Sequence, residues 1–149
     1  MKVFMYGLLA VGMRHYGSNE LNVGEVYYLR RDIDNPYDGN AVAIVDHSGR
    51  KKASLKRDAA AVVAGLFDNA NIRIRLNMIV LKPKSPASYH SPRIGMAQRC
   101  NVGFCCSEED MYLIESDFRE SRVRYRFEYF FDNVCPPINK INKLQRKQK

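Results

Sequence analysis

Asn35-Pro36-Tyr37-Asp38-Gly39-Asn40-Ala41 is the stretch from which the rest of the chain is best read. It lies between two apolar, strand-like segments, so the backbone reverses here. Pro36 presets its own φ and biases Asn35 toward extended backbone. Asp38, Gly39 and Asn40 then supply turn chemistry. Tyr37 sits beside Asp38 in this loop, and loops on a rigid scaffold are where binding residues concentrate. Two readings follow. In one, the ring stacks on a flat ligand and the carboxylate accepts a hydrogen bond from it. In the other, the segment is a hairpin connection whose tyrosine plugs the end of a core. Local sequence leaves both open.

The flanks of this loop read as strands. Residues 3–12 are an apolar run, expected to form a buried first strand. A second strand is expected over 25–31, approached through Asn22-Val23-Gly24, and a third over 41–46, closed by the turn His47-Ser48-Gly49. The basic segment Arg50-Lys51-Lys52-Ala53 then leads into a helix. Leu55, Ala59, Val62, Val63, Leu66 and Phe67 fall at helical spacing and make one apolar face. Ser54 is its expected N-cap and Asp68-Asn69 its end. Lys56 and Arg57 occupy the expected first turn, where positive charge opposes the helix dipole. Beside free N–H groups they form an anion site; alternatively both long side chains bend away into solvent.

Beyond the helix, residues 72–81 alternate and predict a half-buried strand. Residues 82–99 are rich in Pro, Ser and basic residues and predict a loop. A further strand is expected over 111–115. The alternation of Val123-Arg124-Tyr125-Arg126-Phe127-Glu128-Tyr129-Phe130 predicts another. Cys135-Pro136-Pro137 breaks the chain. Ile138, Ile141 and Leu144 follow at near-helical spacing among basic residues, the pattern of a disordered tail or of a short helix on a partner. Many short strands with one or two helices predict a mainly β (α+β) fold, a small OB-like barrel of a kind that commonly binds single-stranded nucleic acid.

Charge points the same way. The 149 residues carry a formal net charge of +8, which favours an anionic partner. Residues 1–106 hold 15 basic and 8 acidic side chains, residues 107–137 hold 4 and 8, and residues 138–149 hold 5 and none. A basic folded surface is therefore followed by an acidic block and a basic tail. Cys100, Cys105, Cys106 and Cys135 contain no Cys-x-x-Cys pair, so they read as reduced thiols of an intracellular protein rather than a zinc site or a disulfide framework. Residues 3–13 contain Tyr and Gly, follow a single Lys, and are too short to span a bilayer; no membrane segment is expected.

Catalytic chemistry finds no foothold. Asp32-Ile33-Asp34-Asn35-Pro36-Tyr37-Asp38 resembles the start of an EF-hand but fails on spacing: Tyr37 stands where the glycine is needed and Ala43 where the terminal Glu is needed. Alternation would scatter Asp32, Asp34 and Asp38 over different faces, against a metal-dependent nuclease. His15, His47 and His90 lie in unrelated contexts. No Gly-rich phosphate loop or nucleophile elbow occurs. The expectation is a non-enzymatic module with no cofactor and no metal. A nucleic-acid site is easier to assemble. Arg14, His15 and Tyr16 follow the first strand, Asn35, Tyr37 and Asp38 follow the second, and Lys56 and Arg57 open the helix. They offer cations for phosphates and rings for bases, each stacked base being worth about 1–3 kcal/mol. Asp38 repels phosphate but accepts a hydrogen bond from a sugar hydroxyl, so among these groups it favours a free 3′ end over an internal phosphodiester.

These pieces resemble the HIRAN domain. The matching residues are Val11-Gly12-Met13-Arg14-His15-Tyr16-Gly17, Gly24-Glu25-Val26, Leu29-Arg30-Arg31-Asp32, Asp34-Asn35-Pro36-Tyr37-Asp38-Gly39-Asn40-Ala41-Val42 and Leu55-Lys56-Arg57, in the family's order over about residues 3–80. The resemblance implies a modified OB-like barrel. In the helicase-like transcription factor family, which contains a fork-remodelling ATPase, this domain captures the 3′-hydroxyl end of single-stranded DNA. It implies that Tyr37 stacks on a terminal base, that Asp38 binds the terminal hydroxyl, that Arg14, Tyr16 and Asn35 line the pocket, and that Arg57 meets a phosphate. Two positions depart from the family. His15 stands where a stacking aromatic is usual, and Ala53-Ser54 where Gly followed by an aromatic or His is usual. No ATPase or RING segment accompanies the domain, so the expectation is a stand-alone form or one part of an assembly.

The expected organisation is a barrel over 1–118, an added strand over 119–134 and a basic tail over 135–149. The expected function is recognition of single-stranded DNA, at its 3′-hydroxyl end, in replication or repair, with nuclear localisation in a eukaryote and an intracellular one otherwise. Two other classes remain open. One is a protein-interaction adaptor using residues 107–149, motivated by the acidic block, Phe130-Phe131 and the tail. The other is general double-stranded DNA or RNA binding through the basic surface.

Overall fold

A computed structural model describes residues 2–17, 20–68, 79–91, 95–105, 108–120 and 126–130. Strand β1 is Lys2–Val11, and a 3-10 turn, Met13–Tyr16, follows it. β2 is Tyr27–Arg31, β3 Val42–Val45 and β4 Lys51–Leu55. Helix α1 is Arg57–Asp68. β5 is Ile79–Pro83, β6 Ser88–Ser91 and β7 Gly95–Cys105. Helix α2, Glu108–Glu120, precedes β8, Arg126–Phe130.

Six strands close a barrel. β1 pairs with β4, β4 with β3, β3 with β2, β2 with β5, β5 with β7, and β7 returns to β1, every pair antiparallel. Closure removes the open edges that a small sheet would otherwise expose. β6 adds to β7 and β8 to β1 as extensions of the wall. β1 serves three neighbours because it is long, and a register shift between Met5 and Leu8 lets it bend around the barrel. The mainly β barrel read from the sequence is therefore the architecture of the chain.

One core fills the barrel and the space under the helices. Leu8, Leu29, Ile44, Leu55, Leu81 and Val102 are buried within it. All four residues of β3 are buried, since this strand lies in the barrel wall and α1 packs against it. α1 contributes Ala59, Ala60, Val63, Ala64 and Leu66, with Val62 and Phe67 at the margin. Three small alanines on that stripe let the helix lie close to the sheet.

Four sequence expectations change. The basic segment 50–53 does not lead directly into a helix: Lys51–Leu55 is β4, with Ala53 and Leu55 buried. Ser54 pairs with Val11 and Ala43 in the sheet and is not an N-cap. The short Lys51-Lys52-Ala53-Ser54-Leu55 alternation was overshadowed by the longer helical period that begins beside it. Residues 82–99 are not a single loop. β5 runs to Pro83, and β6 and the start of β7 lie within that span. β7 hides from a hydropathy reading because its buried positions include Ala97, Gln98, Cys100 and Asn101. Residues 111–115 are helical rather than extended. Ile114 and Phe118, one helical turn apart, are buried, while Tyr112 and Leu113 are exposed. A five-residue apolar window cannot separate those two periods.

The first three strands and the end of the helix fall where expected, within a residue or two, and of the expected strand 123–130, residues 126–130 form β8 while 123–125 lie outside the described residues. Of the segment 72–81, residues 72–78 lie outside the described residues, as does the tail 135–149. Cys100 is a free, buried thiol that burial pushes up to about 12. Among the described residues no helix is long and apolar enough to cross a membrane.

Candidate nucleic-acid interface

The loop between β2 and β3 is built from its own side chains. Asn35 Oδ1 accepts hydrogen bonds from the N–H groups of Tyr37 (2.9 Å) and Asp38 (3.1 Å), an Asx turn that orients both residues. Asp38 Oδ1 accepts from the Asn40 N–H at 2.9 Å, and the Asp38 carbonyl accepts from Ala41 N–H. Pro36 donates nothing to these bonds and needs nothing from them. The side chains of Asn35 and Asp38, two of the residues that marked this stretch as a turn, therefore hold it.

Two arginines brace the loop from outside. Arg31, at the end of β2, donates from Nη1 to the Ala41 carbonyl (3.1 Å) and from Nη2 to the Gly39 carbonyl (2.6 Å). The same guanidinium forks onto both carboxylate oxygens of Asp68, at the end of α1, at 3.3 Å each. Arg57, the first residue of α1, donates to the Tyr37 carbonyl at 2.6 Å, and its Nε lies 3.7 Å from Asp38 Oδ2. Both ends of α1 are thus tied to one loop.

With its backbone held this way, Tyr37 is 86% exposed. The plug reading fails on that number. The tyrosine that does fill core is Tyr27, buried on β2, whose hydroxyl accepts from the Asn22 N–H at 2.9 Å. Tyr37 is a ring presented to solvent by a braced backbone. The Asp38 carboxylate beside it is half-buried and faces Arg57.

The 3-10 turn joins this loop through β4. Gly12 and Gly17 flank it with φ of 75° and 83°, left-handed conformations that glycine adopts without strain. Arg14 and His15 are exposed on it and Tyr16 is half-buried. Lys51 Nζ lies 5.1 Å from the centre of the Tyr16 ring and donates to Asp32 Oδ2 at 2.7 Å. Asn35 Nδ2 donates to the same Asp32 oxygen at 3.2 Å. Burial alone would push the Asp32 carboxyl up, but the bonds from Lys51 and Asn35 outweigh it and hold it below its usual range. Burial opposes the Lys51 charge as well, and Asp32 and Tyr16 hold its ammonium above its usual range.

The structure therefore joins Tyr16, Asn35, Tyr37, Asp38 and Arg57 by contacts, with Arg14 and His15 beside Tyr16. Lys56 stands apart. It precedes the helix rather than lying in its first turn: its N–H donates to Leu9 and its carbonyl accepts from Ala60. Its ammonium lies 3.5 Å from Asp58. Asp58 also places a carboxylate in the first turn, so the charge misfit read from Lys56 and Arg57 is partly cancelled there. Sequence reasoning missed Arg31, Asp32, Lys51 and Asp68. Arg31 and Asp32 abut the turn motif in sequence, whereas Lys51 and Asp68 reach it only through the fold. The acids do not gather on a metal: Asp32 is bonded to Lys51 and Asn35, Asp38 faces Arg57, and the described residues hold no metal-ligating cluster.

This barrel, with its turn motif between β2 and β3, matches a known family over residues 3–101. The chain belongs to the HIRAN domain family. It is 39% identical over 59 residues to a mouse (Mus musculus) helicase-like transcription factor and 37% identical over 59 residues to the human protein. That match covers 40% of this chain and 6% of each relative, so the similarity reaches only a small part of those proteins. The crystal structure of the HIRAN domain of human HLTF superposes with a TM-score of 0.63 at 21% identity, covering 84% of this chain and 96% of that one. The NMR structure of the HLTF HIRAN domain gives 0.58 at 23% identity, covering 85% and 90%. HIRAN domains are DNA-binding modules, and the domain by itself is not a catalyst.

Proposed function

We propose that this HIRAN domain recognises single-stranded DNA at its 3′-hydroxyl end and serves DNA replication or repair in the nucleus. The observation that carries the reading is Tyr37: a largely exposed ring on a loop whose backbone is fixed from both sides, with a carboxylate as its neighbour. Tyr37 stacks on the terminal base, and Asp38 accepts a hydrogen bond from the terminal sugar hydroxyl. Arg14, His15, Tyr16 and Asn35 line the pocket, His15 stacking with less area than a larger ring. Arg57 and Lys56 face phosphates. Arg57 is suited to this because it is exposed while already anchored to Tyr37. Residues 1–118 act as the barrel unit, the segment 119–134 adds β8 (Arg126–Phe130) to it, and the basic 135–149 acts as a tail adding affinity without sequence or end preference. The nuclear setting rests on the mouse and human relatives.

Fluorescence anisotropy with short oligonucleotides tests this directly. Single strands ending in a 3′-hydroxyl should bind more tightly than the same strands ending in a 3′-phosphate, and more tightly than blunt duplex. Equal affinity for the two ends would remove the role given to Asp38. A second reading has its own observation: Tyr112 and Leu113 are exposed on α2, in the acidic block. If the domain shows no measurable DNA affinity but co-purifies with a protein that these residues contact, it acts as an adaptor.

A further inference from the structure

We infer that Lys51 is a positioning residue that couples the Tyr16 turn to the Tyr37 loop and so sets end discrimination rather than overall DNA affinity. The part concerning DNA rests on the function proposed above. The coupling itself rests on contacts within the free protein.

Between β3 and β4 the register slips. Ala43 faces Ser54 and Ile44 faces Ala53, but Val45 faces Lys51, so Lys52 is an extra residue in β4. Such a bulge re-aims the side chains beside it. Without it, Lys51 would share the inward parity of Ala53 and Leu55, both buried. With it, the Lys51 ammonium emerges between two functional segments. It donates to Asp32 Oδ2 and lies over the Tyr16 ring. Asp32 passes the constraint on, because Asn35 Nδ2 donates to the same oxygen while Asn35 Oδ1 accepts from the N–H groups of Tyr37 and Asp38.

The path from ring to ring is thus Tyr16, Lys51, Asp32, Asn35, Tyr37, with a contact at each step. Lys51 touches both the 3-10 turn and the base of the loop. The Lys51 side chain is only 21% exposed and its charge is already matched by Asp32, so it is poorly placed to neutralise a phosphate. It suits a different task, holding two stacking surfaces at a constant separation. Spacing between platforms matters for a strand terminus, which must fit both at once. It matters little for diffuse backbone attraction.

The experiment compares the full chain with Lys51→Met and Lys51→Arg, checking that each retains the wild-type thermal midpoint to within a few degrees. Binding of 3′-hydroxyl and 3′-phosphate single strands is measured across salt concentration. Lys51→Met should reduce the preference for the hydroxyl end by roughly fivefold, the size of an ordinary side-chain coupling, and leave the salt slope unchanged. Lys51→Arg should recover part of the preference. Equal weakening of both ends, with a slope smaller by about 0.7, would mean a direct phosphate contact and would overturn the inference. In the free protein, Lys51→Met and Asp32→Asn should each shift the NMR signals of the Tyr16 ring and of the Asn35 side-chain amide, and the double variant should add little. Additive shifts, or none at Asn35, would also overturn it. If the wild-type chain does not distinguish the two ends, the proposed function fails while the NMR cycle still decides whether Lys51 couples the two segments.

Discussion

Two loops of this barrel are held by the same device and put to opposite use. In one, Gln98 on β7 is completely buried; its Oε1 accepts from Leu21 N–H at 2.7 Å, and its Nε2 donates to the carbonyls of Leu21 (2.9 Å) and Ser85 (3.0 Å). In the other, Asn35, Arg31 and Arg57 bond the backbone of the 32–41 loop at its surface. Both convert a loop into a fixed object by satisfying its backbone from side chains. The Gln98 clamp is neutral and largely buried, so losing it strands buried polar groups. The 32–41 brace is charged and wet, so its contribution to stability is small and its effect is to aim Tyr37. A buried amide secures the fold, whereas exposed ionic contacts shape a surface.

Perturbing each side should separate the two. Gln98→Ala should have the largest effect, destabilising the domain by roughly 2–4 kcal/mol in denaturant unfolding, because the buried N–H and carbonyl of Leu21 and the half-buried carbonyl of Ser85 lose their partner. A change under about 0.5 kcal/mol would mean that the Gln98 clamp does not secure the fold. Tyr37→Ala should do the reverse. Affinity for single-stranded DNA should fall by about 1–3 kcal/mol in anisotropy titrations, with unfolding altered by no more than about 0.5 kcal/mol.

Asp38→Asn sharpens the comparison within the loop itself. The amide oxygen still accepts from Asn40, so the turn survives. The preference for a 3′-hydroxyl over a 3′-phosphate should shrink, while affinity for the phosphate end should hold or rise as the negative charge is lost. Deleting 138–149, which removes five basic residues, should lower the salt slope of binding without altering end preference.

The smallest effect concerns pH. The Asp32 carboxyl lies below its usual 3.8 in the folded chain, so its stabilisation is present above that value and fades as pH falls through the lower folded one. The Lys51 ammonium lies above its usual 10.5, so its share is present below 10.5 and fades as pH rises through the higher folded value. The thermal midpoint difference between wild type and Asp32→Asn should therefore be level across neutral pH, narrow in acid, and narrow again only above pH 10.5. A difference that narrows near pH 7 would show that another group governs this contact.

Much of this was written in the chain. The apolar runs of β1 to β3, the period of α1 and the turn chemistry of Asn35 to Ala41 are local properties, set by backbone preference and by spacing along the chain. They sufficed to predict the barrel and to bring Tyr37 and Asp38 together. Elements whose burial is not hydrophobic stayed hidden, as β7 did with Gln98 and Asn101, because a polar residue is recognisable as interior only when its hydrogen-bond partners are known. The choice between Tyr37 as plug and Tyr37 as platform belonged to the tertiary structure. Exposure depends on which elements surround a loop, and here α1, tied on by Arg57 and Asp68, braces the loop without covering its ring. Lys51 shows the same limit. Its sequence neighbours make it look like part of a basic run, and only barrel closure, with one extra residue in β4, carries its charge to Asp32 and Tyr16.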